Sequence, residues 1–305
     1  MEQRVKHKKH RTTRTLFILC GITIPIIQWL IFYVYANFSS IIMAFQDSQG
    51  QISLANFQRF ITEFQLPTSQ IRIALKNTLI TFSVMFVAFP FKVLVSFFIY
   101  KKIPFARFYR IVFFFPMIIF SVAVALVFTQ IVGTEGFIAQ AVRDWMELDY
   151  TPELLADSRF ANITVILQMV WLQFPGDLII WGGTFARIPE DVLESGRIDG
   201  VTWWTEFTKI VVPMVWPTVA LQMVLLFCGI FGASGNVFLL TRGQYGTMTL
   251  NCWMYQELFY NSGTQFTSNV YNYLSAVGLL MTTIAIIISL SIRKLTDKLF
   301  DEVEY

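Results

Sequence analysis

The chain has 305 residues, of which 55% are hydrophobic, 14% are charged and 31 are phenylalanine. Its formal net charge is +3 and its mean hydropathy is +0.57. Soluble domains carry about a quarter charged residues, and their apolar residues do not collect in long blocks as they do here. The composition therefore excludes an ordinary soluble protein and indicates an integral membrane protein.

An α-helix needs about 20 apolar residues to cross the bilayer core. Six blocks of that length predict an all-α protein with about six transmembrane helices, at Leu16–Tyr35, Thr78–Tyr100, Ile111–Val132, Ile163–Thr184, Val211–Leu240 and Tyr273–Ile292. No linker or repeat divides the chain. Residues 16–292 are therefore expected to form a single transmembrane domain between a basic tail at 1–15 and a second tail at 293–305.

Two interpretations of the first block remain open. It could be a cleaved signal peptide, since Val34–Tyr35–Ala36 loosely resembles a cleavage site, or a retained helix. We favour the retained helix because the apolar part exceeds the usual 7–15 residues of a signal core. Lysine and arginine collect on the cytoplasmic side. Sixteen of them fall on the side of both termini and six on the other. The chain is therefore predicted to lie in the cell membrane with its termini and residues 187–213 on the cytoplasmic side.

The side chains that carry most enzyme chemistry are scattered. The three cysteines have neither pairing partners nor ligand spacing, and both histidines lie in the basic leader. No phosphate-binding glycine loop, nucleophile elbow or carboxylate pair is present. We therefore expect no metal site, no catalytic residue, no cofactor bound by this chain and no nucleic-acid partner.

The polar run 187–213 reads as two short helices joined by a bend. Pro189, followed by two acids, predicts a helix start, and Gly200 predicts its end because glycine adopts the left-handed conformation. Thr202 can cap a second helix, and Pro213 is expected to turn the chain into the fifth span. Small residues at 195–196 leave the first helix open to close packing by another protein surface. Glu194 could hold the bend by accepting backbone N–H bonds, and an ordinary interfacial hairpin resting on lipid remains the alternative.

Polar residues inside the spans are the best pointers to a pathway, because they are costly in lipid and usually face an interior. Lys92 lies inside the second span, where it could face a pathway or could extend to the cytoplasmic interface beside Lys101. An ion pair between Lys92 and Asp177 is also possible. Gly229, Gly232 and Gly235 would let the fifth span pack closely on a neighbour. The candidates for the pathway or for subunit contact are Lys92, Trp171, Gln173, Asp177, Asn236 and Phe238.

The run 187–213 resembles the E-A-A, D-G, F, I and L-P signature of permease subunits in ATP-binding-cassette (ABC) importers. The matching residues are Glu194, Ser195, Gly196, Asp199, Gly200, Phe207, Ile210 and Pro213. Ser195–Gly196 replaces Ala–Ala and Val212 replaces the usual Leu, and both changes keep small or apolar character. The resemblance implies that the loop is a coupling helix that docks on an ATPase subunit.

Similarity to the carbohydrate-importer branch covers most of residues 15–295. It includes the runs at Ala74–Leu79 and Arg110–Pro116 and the L-T-R-G element at Leu240–Gly243, although Gln244 and Tyr245 replace the Gly–Pro that often follows. The resemblance implies a type I ABC importer permease fold. The L-T-R-G element and the charged end of the chain are similar to the first-type permease of glycerol-phosphate, lactose and multiple-sugar importers.

The resemblance also implies partners: a second permease in a heterodimer, two ATPase subunits that use ATP and Mg, and an extracytoplasmic solute-binding protein. The chain would form half of the pathway for a sugar or oligosaccharide. A polyol phosphate or glycoside is an alternative cargo. A stand-alone secondary transporter would need an ion-coupling site and often shows a repeat, and a membrane-embedded enzyme or assembly factor would need clustered catalytic groups; the sequence displays neither.

Overall fold

The computed structural model describes residues 18–261 and 268–299. The predicted basic tail at 1–15 and residues 300–305 of the second predicted tail lie outside these ranges. The described residues are almost entirely helical, and the β interaction found among them is one isolated bridge between Gln46 and Ile52. The all-α class is confirmed.

The helices follow one another along the chain. They are α1 (Ile18–Ala44), α2 (Ala55–Gln65), α3 (Gln70–Tyr100), α4 (Ala106–Ile118), α5 (Ser121–Val132), α6 (Phe137–Trp145), α7 (Ala161–Phe185), α8 (Glu190–Ile198), α9 (Trp203–Met214), α10 (Trp216–Cys228), α11 (Val237–Leu240), α12 (Leu250–Gln256) and α13 (Ser268–Leu299). The short helix α2 lies between the first two predicted spans, and α13 extends beyond the predicted end of the last span.

Five stretches of the described residues are long and apolar enough to cross a membrane. They are Ile18–Ala44, Gln70–Tyr100, Ser121–Trp145, Ala161–Phe185 and Asn269–Leu299, and the bent pair α9–α10 makes a sixth if it is counted as one span. The predicted number of about six spans is confirmed.

The described residues form two compact units, one of residues 18–62 and 268–280 and the other of residues 63–261 and 281–299. In the first unit, the most apolar window of α1 has no buried residues, whereas Ala44 at the end of the helix is buried. The exposed window suits a helix that is apolar all round and faces lipid. The Asn56 amide donates to the carbonyl of Ala44 at 3.2 Å and to that of Gln46 at 2.8 Å. The Arg59 guanidinium lies 4.0 Å from the centre of the Tyr273 ring.

The second unit is built around α3 and α7, which pack along each other. Its largest apolar cluster joins α3, α7, the run 187–213 and α10, through Val93, Phe97, Trp181, Phe185, Ile188, Leu193, Phe207, Val211, Val215 and Val219. Large aromatic side chains such as Phe97 and Trp181 are fully buried there. The two central helices and the polar run therefore share one core.

The predicted third span, 111–132, is wrong as a single helix. It is divided between α4 and α5, with Ile119 and Phe120 extended at ψ values of 141° and 134°. Pro116 has no N–H to donate to the preceding turn, and α4 ends two residues later. Hydropathy cannot detect such a break, because both helices are apolar.

The predicted fifth span, 211–240, is also interrupted. The axes of α9 and α10 differ by 77° at Val215, where Pro217 cannot donate to the carbonyl of Pro213. The helix stops again at Cys228, so the three predicted glycines do not form one helical face. Gly235 alone fulfils the packing prediction: its φ is +51°, and a Cβ there would lie 3.0 Å from Cγ of Met169 in α7.

Candidate functional site

The first half of the run 187–213 is a helix closed by glycine, as predicted. Pro189 takes the N-cap position, one residue earlier than expected, and α8 ends at Ile198. Gly200 has a φ of +71°. The Val201 N–H donates to the Gly196 carbonyl at 3.0 Å, and the Gly200 N–H donates to the Arg197 carbonyl at 3.1 Å. These two bonds form a Schellman motif, which satisfies the carbonyls at the end of α8.

The second half begins at the predicted cap. The Thr202 hydroxyl accepts the Thr205 N–H at 3.4 Å. From Glu206 to Val211 the helix widens to the π form, and the Val212 N–H donates to the Phe207 carbonyl. Pro213 lies inside the helix and lacks the N–H that an α-helix would direct to Lys209, which accounts for the wider turn before it. The turn into the next span occurs at Val215, so its assignment to Pro213 was wrong.

Two local expectations are corrected. Glu194 is exposed and receives no hydrogen bond from the described residues, and at the start of the second helix the Thr202 hydroxyl accepts an N–H instead. Gly196 is buried, and a Cβ there would lie 3.1 Å from Cδ1 of Ile210. The close approach at Gly196 is therefore made by the second helix of the same loop and not by a separate protein surface.

The second helix is held against the end of α3. The Lys101 ammonium donates to the carboxylate of Glu206, a residue that is only 4% exposed. The Phe207 ring lies 5.2 Å from that of Phe97, and the Trp203 ring lies 5.3 Å from that of Phe98. An ion pair and two aromatic contacts therefore fix α9 to α3.

The eight residues of the importer signature fall into two sets. Gly196 and Phe207 are buried and Ile210 and Pro213 are half-buried. The other four, Glu194, Ser195, Asp199 and Gly200, are exposed around the bend. Together with Ile198, which is not part of the signature, they form an exposed tip. Ile198 is 86% exposed although it is apolar. One set holds the loop to its own chain, and the other is free to meet a partner.

Lys92 and Asp177 face each other between α3 and α7. The Lys92 ammonium lies 2.9 Å from Oδ2 of Asp177, and the two side chains are 6% and 20% exposed. Lys92 therefore does not extend to the interface beside Lys101, which corrects that expectation. A buried ammonium is costly unless it is paired, and Asp177 supplies the pair.

The other pathway candidates have separate neighbours. The Gln173 amide is directed at the sulfur of Met85, 4.0 Å away. Trp171 packs on Phe128 at 6.4 Å between ring centres, and Phe238 packs on Tyr255 at 4.7 Å. The amide nitrogen of Asn236 is buried and has no hydrogen-bond partner among the described residues. Their role in a pathway stays a prediction.

Two polar side chains of α3 make contacts that were not predicted from the sequence. Asn77 donates to the carbonyls of Gly246 and Met248 at 2.7 and 2.8 Å, and the Thr78 hydroxyl accepts the Leu250 N–H at 2.9 Å. They fix the segment after the L-T-R-G element against α3. The adjacent Asn and Thr in an apolar helix were the signal, but their partners lie about 170 residues away.

The described ranges contain no cluster of three metal-ligating side chains. Burial raises the pKa of the Cys252 thiol to about 11. A thiol with a raised pKa is a poor nucleophile at neutral pH, because the thiolate is the reactive form.

Comparison with curated proteins finds transport permeases. The arabinooligosaccharides transport system permease of Bacillus subtilis is 24% identical over 292 residues, which cover 89% of this chain and 85% of that protein. The multiple sugar-binding transport system permease of Streptococcus mutans is 26% identical, covering 65% and 66%. The osmoprotective compounds uptake permease of Synechocystis is 33% identical, covering 34% and 38%. With several curated relatives the chain aligns over only 31–63% of their length.

Solved structures match over nearly the whole chain. A bacterial ABC transporter involved in the import of the acidic polysaccharide alginate gives a TM-score of 0.76 at 21% identity, covering 95% of this chain and 98% of that one. The same kind of transporter in complex with an alginate pentasaccharide-bound periplasmic protein gives 0.78 at 22%, covering 96% and 99%. These matches confirm the predicted permease fold. A family model also matches residues 69–301, and the chain therefore belongs to the family of binding-protein-dependent transport system inner membrane components.

Proposed function

We propose that the chain is the permease subunit of an ABC importer and forms half of the translocation pathway for a sugar or oligosaccharide. The observation that carries this proposal is the division of the loop 187–213 into a buried set of residues and an exposed tip. A coupling element needs both a surface for its partner and a firm connection to the membrane helices. The exposed tip offers the first, and the contacts of Glu206 and Phe207 with α3 offer the second.

In this mechanism an ATPase subunit binds the exposed tip and displaces it when ATP closes the ATPase pair. The Schellman bend and the contact between Gly196 and Ile210 let α8 and α9 move as one piece. The pair of Lys101 and Glu206 transfers that motion to α3, and the shared core transfers it to α7. ATP and a loaded binding protein act by favouring one conformation over the other.

The proposal includes the remaining partners and the location. The chain pairs with a different second permease, two ATPase subunits hydrolyse ATP with Mg, and an extracytoplasmic binding protein delivers the solute. This chain carries no catalytic group, binds no cofactor and lies in the cell membrane with its termini in the cytoplasm. The family description, which names binding-protein-dependent transport, and the binding protein in the alginate complex support this assembly.

The cargo is assigned by similarity of name and fold. Relatives are named for arabinooligosaccharides, trehalose, alpha-glucosides and multiple sugars, which supports a carbohydrate. The relative named for osmoprotective compounds supports a polar solute of another class, such as a glycoside or polyol phosphate, as a second candidate. A stand-alone secondary transporter is the third and least supported reading.

Two measurements test the proposal. The tagged chain is extracted in mild detergent, and we expect an ATPase and a second permease to co-purify; their absence contradicts the importer assignment. The binding protein that stimulates ATP hydrolysis by this complex is then screened by thermal shift against sugars, polyol phosphates, amino acids and peptides. We expect sugars to raise its melting temperature, and a preference for peptides or amino acids contradicts the carbohydrate assignment.

A further inference from the structure

A cavity of about 400 Å³ opens between α3, α4 and α7. It lies at the ends of these helices that the lysine and arginine distribution assigns to the cytoplasm. Most of its wall is apolar, with Ile99 from α3, Phe114 from α4 and Leu178 and Ile179 from α7. None of the described residues fills it.

Two successive glycines give the cavity its depth on the α7 side. Gly182 and Gly183 both line it, and a Cβ added at either would meet nothing within 4 Å. A slot between helices that is open along a side-chain-free stretch can admit a flexible hydrocarbon chain. The glycines are not needed for helix packing, because no neighbouring atom approaches them.

The lining contains two cations and no acid. Lys102 and Arg110 are exposed, and neither has an ion pair or a hydrogen bond from its side chain within residues 18–261 and 268–299. The adjacent Lys101 does have such a partner, Glu206. The cavity therefore combines an apolar interior with two unpaired positive charges.

This chemistry does not suit a sugar. A sugar carries many hydroxyl groups, and its sites contain placed polar groups that fix its orientation. Besides the cations, the lining offers the Tyr100 and Ser96 hydroxyls, and Ser96 already donates to the Lys92 carbonyl at 2.7 Å. An amphiphile with an anionic head and an apolar tail fits better, and such lipids are abundant in cytoplasmic leaflets.

We propose that this cavity binds an anionic phospholipid of the cytoplasmic leaflet. Its phosphate lies between Lys102 and Arg110, and part of one acyl chain lies against Gly182 and Gly183. The inference goes beyond the transport function and depends on the membrane location and orientation, not on the identity of the cargo. Because α7 leads directly into the loop 187–213, the lipid would occupy the joint between the loop and the membrane helices.

The test uses the full-length chain with its co-purifying subunits, stripped of lipid in neutral detergent. Native mass spectrometry measures binding of dioleoyl phosphatidylglycerol and of dioleoyl phosphatidylcholine, which differ in head-group charge but not in chains. We expect phosphatidylglycerol to bind more tightly. The double variant Lys102→Ala/Arg110→Ala should weaken its binding about 30-fold, at about 1 kcal/mol for each basic residue.

Two further variants separate charge from shape. Arg107→Ala removes an exposed cation of α4 that does not line the cavity, and it should weaken binding by no more than about fivefold, the about 1 kcal/mol of one basic residue near the membrane surface. Gly183→Leu keeps both cations but fills the slot, and it should also bind phosphatidylglycerol more weakly than the unmodified chain. Melting in lipid-free detergent confirms that each variant is folded.

Three results would overturn the proposal. The first is equal binding of the two lipids by the unmodified chain. The second is an equal loss of binding in Arg107→Ala and in the double variant. The third is displacement of phosphatidylglycerol by an equal concentration of glycerol phosphate, which would identify a site for a free anion instead of a lipid. The first two outcomes do not depend on which solute is transported.

Discussion

Removing the charge of Asp177 should destabilise the chain far more than removing the whole ion pair. Asp177→Asn leaves the ammonium of Lys92, whose side chain is 6% exposed, without a counter-charge. Breaking a buried pair from one side costs about 3–5 kcal/mol, whereas replacing both members by apolar residues is often neutral or stabilising. The double variant Lys92→Met/Asp177→Leu should therefore be more stable than the single variant.

The structure sets the expected size. The Asp177 side chain retains 20% of its exposure, so we take the lower end of the range, about 3 kcal/mol for Asp177→Asn. Since each kcal/mol lowers the melting temperature by about 2–4 °C, the melting temperature of Asp177→Asn should fall by roughly 10 °C. The double variant should stay within about 1 kcal/mol of the unmodified chain. Fluorescence-detected thermal unfolding of the purified chain in one detergent measures all three.

An exposed ion pair gives the control. Arg293 and Asp297 lie 4.0 Å apart with side chains 69% and 63% exposed, and Asp297→Asn should change stability by less than about 1 kcal/mol. The reasoning is refuted if the double variant melts as low as Asp177→Asn, or lower. That result would mean that the two residues contribute independently and that the contact carries no coupling.

Three more predictions concern the loop and the L-T-R-G segment. Gly200→Val changes a residue with a φ of +71°, and Glu194→Lys changes the exposed tip. Both variants should keep the melting temperature within a few degrees but abolish solute-stimulated ATP hydrolysis in the reconstituted complex. Normal stimulation in both variants contradicts the coupling role. Glu206→Ala should lower stability by about 2 kcal/mol because it leaves Lys101 without its partner. Adding Lys101→Met to the same chain should recover part of that loss. No recovery in thermal unfolding contradicts a stabilising ion pair between the two residues. Gly243→Ala should lower the free energy of unfolding by about 1–3 kcal/mol more than Gly246→Ala. Both positions have positive φ, but only at Gly243 would a Cβ lie 2.7 Å from Sδ of Met248. Equal melting temperatures of the two variants refute the packing argument.

The bend of the loop could be predicted because its causes are local. Gly200 supplies the left-handed backbone and Thr202 supplies the cap, and both lie within a few residues of the helix ends that they define. The number of spans was equally accessible, since it depends on the length of apolar blocks. Both kinds of inference need no knowledge of distant neighbours.

The breaks and the partners could not be predicted in the same way. The interruptions at Ile119 and Val215 lie between apolar residues on both sides, so hydropathy is continuous across them. Lys92 has its partner 85 residues away, and no periodicity selects Asp177 over another polar residue. Glu206 was overlooked because it lies between motif residues, although a carboxylate beside a run of aromatic residues was a usable signal.

The division of the loop between exposed and buried residues has a consequence for building chimeric transporters. A transplant limited to residues 190–200 exchanges the exposed tip and leaves the contacts of Glu206 and Phe207 intact, provided that Leu193, Gly196 and Gly200 are kept. A transplant of the whole run 187–213 also exchanges the side chains that meet Lys101 and Phe97. Such a transplant must bring the matching end of α3 with it. Under the proposed coupling role, the boundary for exchanging ATPase compatibility between permeases therefore lies at the glycine bend.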